Sequence, residues 1–356
     1  MKQPLTVRFT IISKTLIFCL FLASMYERLP IVHAAEPIII DHACTDITRI
    51  PESAIEQAKA NLHIAYGHTS HGSQLTTGMT GLVGFANGGG LGLSLPTDIF
   101  EWNNGGTGGA LDLHDYFMSG DLGNPDRTTW AQRTRDYLDD PANSNVNVIM
   151  WSWCGQVDTT EENIDLYLSL MSQLELEYSD VNFVYMTGHA NGTGETGNVH
   201  LRNQQIRSYC VVNNKILYDF YDIECYDPDE TYFGDKLVSD GCYYDSDGNG
   251  SRDANWAIEW QNSHTEGYYW YDCSSAHSQP LNANRKAYAS WWLWARLAGW
   301  NMSGTDNPDN DGLNSVEELN RKTNPNDADT DNDGLIDGED LSPLNPDSNA
   351  DGVIDH

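Results

Sequence analysis

Four short apolar runs, separated by helix-length segments, restrict this chain more than any other feature. They are residues 62–66 (LHIAY), 146–151 (VNVIMW), 181–186 (VNFVYM) and 215–220 (KILYDF). Runs of this length and content read as buried strands. Between the second and third, Thr159 and Glu162 predict a capping box, and Ile164, Tyr167, Leu168, Met171 and Leu174 follow at three- and four-residue spacing. A helix is predicted there. A last helix is predicted over residues 282–298, with Tyr288, Trp291, Trp292 and Ala295 on one face. Strands alternating with helices make a parallel sheet with crossover helices, an α/β fold. Ligands of such sheets sit beyond the carboxyl ends of the strands, so the loops after these runs come first.

Charge narrows the partners. The 356 residues include 52 Asp and Glu against 19 Lys and Arg, a net charge of −33. Nucleic acid and anionic membrane surfaces both need clustered cationic side chains, so both are excluded. A cation is the natural partner. Hydrophobic residues make up 40%, enough for a sizeable core.

Composition also divides the chain. Residues 1–34 read as a signal peptide: Lys2, Arg8 and Lys14 give a basic start, residues 15–23 a short apolar run, and Val32-His33-Ala34 a cleavage site. A secreted protein is expected, extracellular, periplasmic or at the cell surface, with no membrane span in the mature chain. Residues 35–300 are rich in aromatics. Residues 301–356 hold 15 acids and two bases, which predicts a separate acidic region. Of seven cysteines, Cys19 lies in the leader and six remain. Disulfides are expected in an oxidising compartment, with the pairing open. No CxxC spacing occurs, so a cysteine-zinc site is not expected.

Two segments can carry nucleophilic chemistry. Residues 67–72 (GHTSHG) follow the first strand, and a serine in a glycine-flanked turn is held exposed near backbone N–H groups. Ser70 is the candidate nucleophile and Ser73 its weaker rival. Residues 272–282 (DCSSAHSQPLN) precede the last helix and offer His277 as a base. His189 and Asn191, in the loop after the third run, are candidate site-lining residues. The ten glycines of residues 81–109 predict loops able to supply backbone N–H groups. A histidine zinc site from His68 and His71 with His189 or His200 is a weaker alternative, because HxxH spacing alone is unspecific. Tyr268, Tyr269, Trp270 and Tyr271 suit either sugar stacking or core packing.

Together these segments resemble the SGNH/GDSL-like hydrolases over roughly residues 60–300. In that family the serine follows the first strand in a glycine-flanked turn and the histidine precedes a closing helix. Residues 146–158 (VNVIMWSWCGQVD) resemble the block that supplies a glycine and a side-chain amide to the oxyanion, here Gly155 and Gln156. The resemblance implies a three-layer parallel-sheet fold and acyl transfer through Ser70 and His277. This chain reads GHTS where the family has GDS, and Gln156 where it usually has asparagine. The family's acid precedes the histidine by three residues, where Ser274 stands here; Asp272 or a backbone carbonyl is left to orient His277.

The tail carries calcium-loop spacing. An EF-hand-type loop needs oxygen ligands at positions 1, 3, 5, 9 and 12 and glycine at 6. With Gly312 at position 6 the ligands are Asn307, Asp309, Asp311, Ser315 and Glu318. With Gly334 there they are Asp329, Asp331, Asp333, Asp337 and Asp340. A third loop begins at Asp347, Asn349 and Asp351. A partial match inside the large domain uses Asp245, Asp247, Asn249 and Asp253. The tail loops resemble thrombospondin type 3-like repeats, which implies structural Ca2+ and no cofactor for catalysis. The function expected is a secreted, calcium-binding serine esterase acting on an acyl ester, with acylated carbohydrate as a candidate substrate. The alternative is a non-catalytic calcium-binding surface or adhesion protein on the same fold.

Overall fold

The computed structural model describes residues 36–300 and 307–346. The leader (1–34) and the ligands Asp347, Asn349 and Asp351 lie outside them. The described residues from Pro37 onward belong to one compact unit.

A seven-stranded, wholly parallel sheet forms the centre. Its strands are β1 (Ile38–Ile40), β2 (His63–Gly67), β3 (Trp102–Asn103), β4 (Leu111–Asp115), β5 (Val148–Trp151), β6 (Asn182–Met186) and β7 (Ile216–Tyr218). The order is β1-β7-β6-β5-β2-β4-β3. The α/β expectation therefore holds, and all four apolar runs are strands. The helices are α1 (Glu52–Asn61), α2 (Ser73–Asn87), α3 (Thr129–Leu138), α4 (Glu161–Glu177), α5 (Asn198–Val212), α6 (Phe220–Glu224), α7 (Trp256–Ser263) and α8 (Pro280–Leu297), with α9 (Ser315–Arg321) in the tail. α1 and α2 pack on α8, while α4 packs on both α3 and α5. Right-handed crossovers put these two groups on opposite faces.

The chain leaves β2 toward β4, then returns past it to β5. Order reverses between β2 and β5, and the loops that diverge there open a crevice at the strands' carboxyl ends. The segments after β2 and β5 are His68–Gly72 and Ser152–Gln156.

Several local expectations shift. The cap of α4 is Thr160, whose side chain accepts from the Asn163 N–H, not Thr159. α8 is buried all round from Leu281 to Ala295, not on one face. It is the central strut of its layer. Residues 81–87 of the glycine-rich stretch lie in α2. Its Gly78 allows close approach to α8: a Cβ there would lie 2.2 Å from the Ala283 carbonyl oxygen. The expected disulfides are not formed: Cys44, Cys154, Cys210, Cys225, Cys242 and Cys273 are all free.

Candidate active site

β2 ends at Gly67, where any Cβ would meet the Trp151 ring at 2.5 Å. The chain then turns tightly into α2. His68 is buried, its Nε2 2.8 Å from Asp115 Oδ1. The Ser73 hydroxyl donates to the Ser70 carbonyl at 2.7 Å, so the rival serine closes the turn. Gly72 is required there, since a Cβ would lie 2.4 Å from His68 Cβ and 2.7 Å from Ser152 Cβ. With its neighbours packed inward, Ser70 is left exposed beyond the carboxyl end of β2.

His277 arrives from the loop before α8. Its Nε2 lies 3.0 Å from Ser70 Oγ. The residue has φ 65°, a left-handed conformation that costs a non-glycine residue roughly 1–3 kcal/mol and concentrates at functional sites. Its ring stacks on His71 at 4.4 Å, and His71 stacks in parallel on His189 at 3.8 Å.

His71 is held on both nitrogens. Nε2 lies 3.1 Å from Asp240 Oδ2 and Nδ1 lies 3.3 Å from Cys154 Sγ. Burial lowers the His71 pKa, against the pull of Asp240 and with help from His189. Burial works to raise Asp240, but the His71 hydrogen bond and nearby His189 hold its carboxyl below the ordinary value. At neutral pH the imidazole is therefore neutral. It donates Nε2–H to Asp240 and accepts the Cys154 thiol at Nδ1. Ligand atoms of His71, His189 and Asp240 lie within 4.8 Å of one another, a donor set able to hold a divalent ion. His68 and His200 take no part in it; His200 Nδ1 pairs with the Tyr221 hydroxyl at 3.3 Å.

A fully buried frame ties the site loops together. Lys286 Nζ donates to Glu224 Oε1 at 2.6 Å and to Gln74 Oε1. Glu224 Oε2 accepts the Ala190 N–H at 2.7 Å, and Gln74 Nε2 donates to the Ala276 carbonyl at 2.5 Å. Ala190 follows His189, Ala276 precedes His277, and Gln74 lies four residues after Ser70. One buried cation thus joins all three loops. The visible signal was a charged pair, Arg285-Lys286, in a helix rich in Ala, Leu and Trp. Asp240 and Cys154 gave no such signal, because their role depends on contacts across 83 or more residues.

Other expected residues fall differently. Asp272 is exposed, and no hydrogen bond among the described residues joins it to His277. Gly155 is exposed, and neither its N–H nor that of Ser70 carries a hydrogen bond among the described residues. Gln156 turns toward Asp121, whose carboxyl is raised by burial against hydrogen bonds from Gln156 and the Leu122 N–H. The glycines of residues 81–109 pack elsewhere, Gly81 on Tyr271 and Gly90 on Phe85. Gly123, after β4, is the glycine that meets Gln156, where a Cβ would lie 3.6 Å from the Gln156 Cβ. His189 and Asn191 line a cleft of about 140 Å³ with Cys154 and Gly155. Tyr268 and Tyr269 are half exposed, while Tyr271 is core.

In the tail, Asp309, Asp311 and Glu318 converge, as do Asp329, Asp331 and Asp333. Asn307 Oδ1, Asp309 Oδ2, Asp311 Oδ2 and both Glu318 carboxylate oxygens are buried without a hydrogen-bond partner among the described residues. So are Asp331 Oδ2 and Asp340 Oδ2. Burial and the carboxylates of Asp309 and Asp311 push Glu318 up to about 8; burial and Asp311 push Asp309 to about 6. Asp337 departs from its expected place, because its carboxylate accepts the Thr330 N–H at 2.9 Å and the Thr330 hydroxyl. Ser315 opens α9, its side chain outside the described residues. In the inner loop Asp245 accepts the N–H groups of Asn249 and Gly250, as Asp329 accepts those of Asp333 and Gly334. Asp247 accepts from Asn249, whose own side chain accepts from Ser251, and Asp253 accepts from Ser246. The tail docks on the large unit: Arg49 donates to the Glu318 carbonyl at 3.1 Å, and Asn326 to the Ile50 carbonyl at 3.1 Å.

No family model, curated protein or solved structure matches the chain.

Proposed function

We propose that the protein is a secreted, SGNH-like serine hydrolase that cleaves acyl esters. The observation that carries this reading is the 3.0 Å contact between His277 Nε2 and an exposed Ser70 Oγ at the sheet's switch point. His277 takes the Ser70 proton as Oγ attacks the ester carbonyl. The tetrahedral oxyanion lies near the unpaired N–H groups of Ser70 and Gly155. Its collapse expels the alcohol, which receives the proton from His277. Water then attacks the acyl-serine, with His277 again as base, and the carboxylic acid leaves. The stack on His71 and the carbonyl clamp at Ala276 orient His277, in place of an acid. The test is labelling with a fluorophosphonate, read by mass spectrometry. The adduct is expected on Ser70 and absent in Ser70→Ala; no adduct and no ester turnover would favour the non-catalytic adhesion reading.

One observation favours a second reading. Cys154, His71 and Asp240 stand in the order nucleophile, base and acid. A cysteine hydrolase would retain activity in Ser70→Ala and lose it in Cys154→Ala.

For the tail, the reading is structural Ca2+. Seven buried acidic or amide oxygens without donors, five in one loop and two in the next, support a cation in each loop.

A further inference from the structure

A second cavity, of about 340 Å³, shares no lining residue with the Ser70 cluster. Its walls come from the segment after β1, from α7 and the loop behind it, and from α8; Lys322 of the tail stands at its edge. Arg285 is 4% exposed, and its guanidinium makes no hydrogen bond or ion pair among the described residues. Asp227 and Asp222 act on it only at longer range. Burial lowers its pKa to about 10, which leaves it charged at neutral pH.

Two further donors in this wall are also unpaired. The Tyr288 hydroxyl and the Trp260 indole N–H are buried without partners. A buried donor without an acceptor costs about 1–3 kcal/mol, and a charged one more. All three donors belong to residues that line this one cavity, and none has an acceptor among the described residues. In a chain of net charge −33, Arg49 and Lys322 also come to this place.

The remaining lining restricts what fills it. Asp46, Asp227 and Glu230 would repel a polyanion but accept hydroxyl donors. Trp260 has one face covered by His264 at 3.7 Å, and Tyr269 beside it is 42% exposed. Flat aromatic walls, hydroxyl acceptors and one unpaired guanidinium match a ring that carries hydroxyls and a single carboxylate. We propose that this cavity binds an acidic monosaccharide unit, with Arg285 receiving its carboxylate. Guanidinium and carboxylate can pair in a planar, two-bonded fork, and the Tyr288 hydroxyl lies in the same wall. The site is independent of the chemistry at Ser70.

The test is calorimetric titration of the full chain in excess calcium with glucuronate, with glucose as its match lacking the carboxylate, and with sulfate as a bare anion. Saturable binding is expected for glucuronate alone. Arg285→Met should weaken it about 10- to 100-fold, the loss of one charge-assisted contact. Removal of an unpaired buried charge leaves the fold intact, which near-ultraviolet circular dichroism checks. Tyr288→Phe removes one oxygen from a packed ring and should weaken binding several-fold; it decides the matter should Arg285→Met not fold. Absence of saturable glucuronate binding, equal binding of glucose, preference for sulfate, or full affinity in Tyr288→Phe would each overturn the proposal.

Discussion

The Nε2 of His277 and the Oγ of Ser70 stand 3.0 Å apart across 207 residues of sequence. Each lies just before a helix, Ser70 before α2 and His277 before α8. Those two helices touch where Gly78 faces Ala283 and Ala287. The gap between nucleophile and base is therefore set by a helix-to-helix contact that contains neither of them.

Ser70→Ala should abolish ester turnover, with a loss of at least about 10³ in kcat/KM. The hydroxyl is on an exposed turn residue, so stability should change by less than about 0.5 kcal/mol. Turnover and urea unfolding measured on the same preparation check both halves. Unchanged turnover would remove Ser70 from the mechanism.

Gly78→Ala tests the helix contact. The new methyl would sit 2.2 Å from the Ala283 carbonyl oxygen, so α2 and α8 must separate. Displacement of about 1 Å between base and nucleophile can cost about 10² in kcat. The expected result is a fall in kcat larger than any change in KM, in a protein still folded at assay temperature. Normal kcat would show that the site tolerates movement of its two supports.

The strands and the two catalytic candidates were legible because their signals are local. Apolar runs give strands, and glycines 67 and 72 flank a serine after one of them. The supporting residues were not legible, because nothing near Asp240, Glu224 or Gln74 marks them. Each matters through partners such as His71 or Lys286, far away in sequence. Gln156 has a similar dependence: its segment resembles an oxyanion block, but its neighbour Asp121 stands 35 residues earlier. The acidic loops are the opposite case, since nearly all their candidate ligands lie within one dozen residues. Even there Asp337 is drawn to Thr330.

Lys286→Met should be severe. It leaves Glu224 charged, 0% exposed and without its counter-ion, at a cost of about 3–5 kcal/mol. Pairing it with Glu224→Gln should restore much of that loss, because neither member of the pair then carries a charge and the Ala190 N–H keeps an acceptor. Urea unfolding of the single and double variants decides. A single variant within 1 kcal/mol of the parent by that measure would contradict the buried frame.

The tail should respond to pH and calcium in opposite senses. Without metal, folded Glu318 titrates at about 8 and folded Asp309 at about 6, against roughly 4 when unfolded. Between about pH 4 and 8 the folded tail therefore holds protons that the unfolded tail releases. Its metal-free stability falls as pH rises through that window. Calcium replaces those protons, so its affinity should increase up to about pH 8. In chelator, limited proteolysis should cut residues 307–346 faster at pH 8 than at pH 5.5. Calcium should abolish cutting at pH 8, while residues 36–300 resist throughout. Glu318→Gln removes one of the repelling carboxylates, so it should slow digestion in chelator and weaken protection by calcium. Digestion independent of both pH and calcium would mean that these buried carboxylates hold no cation.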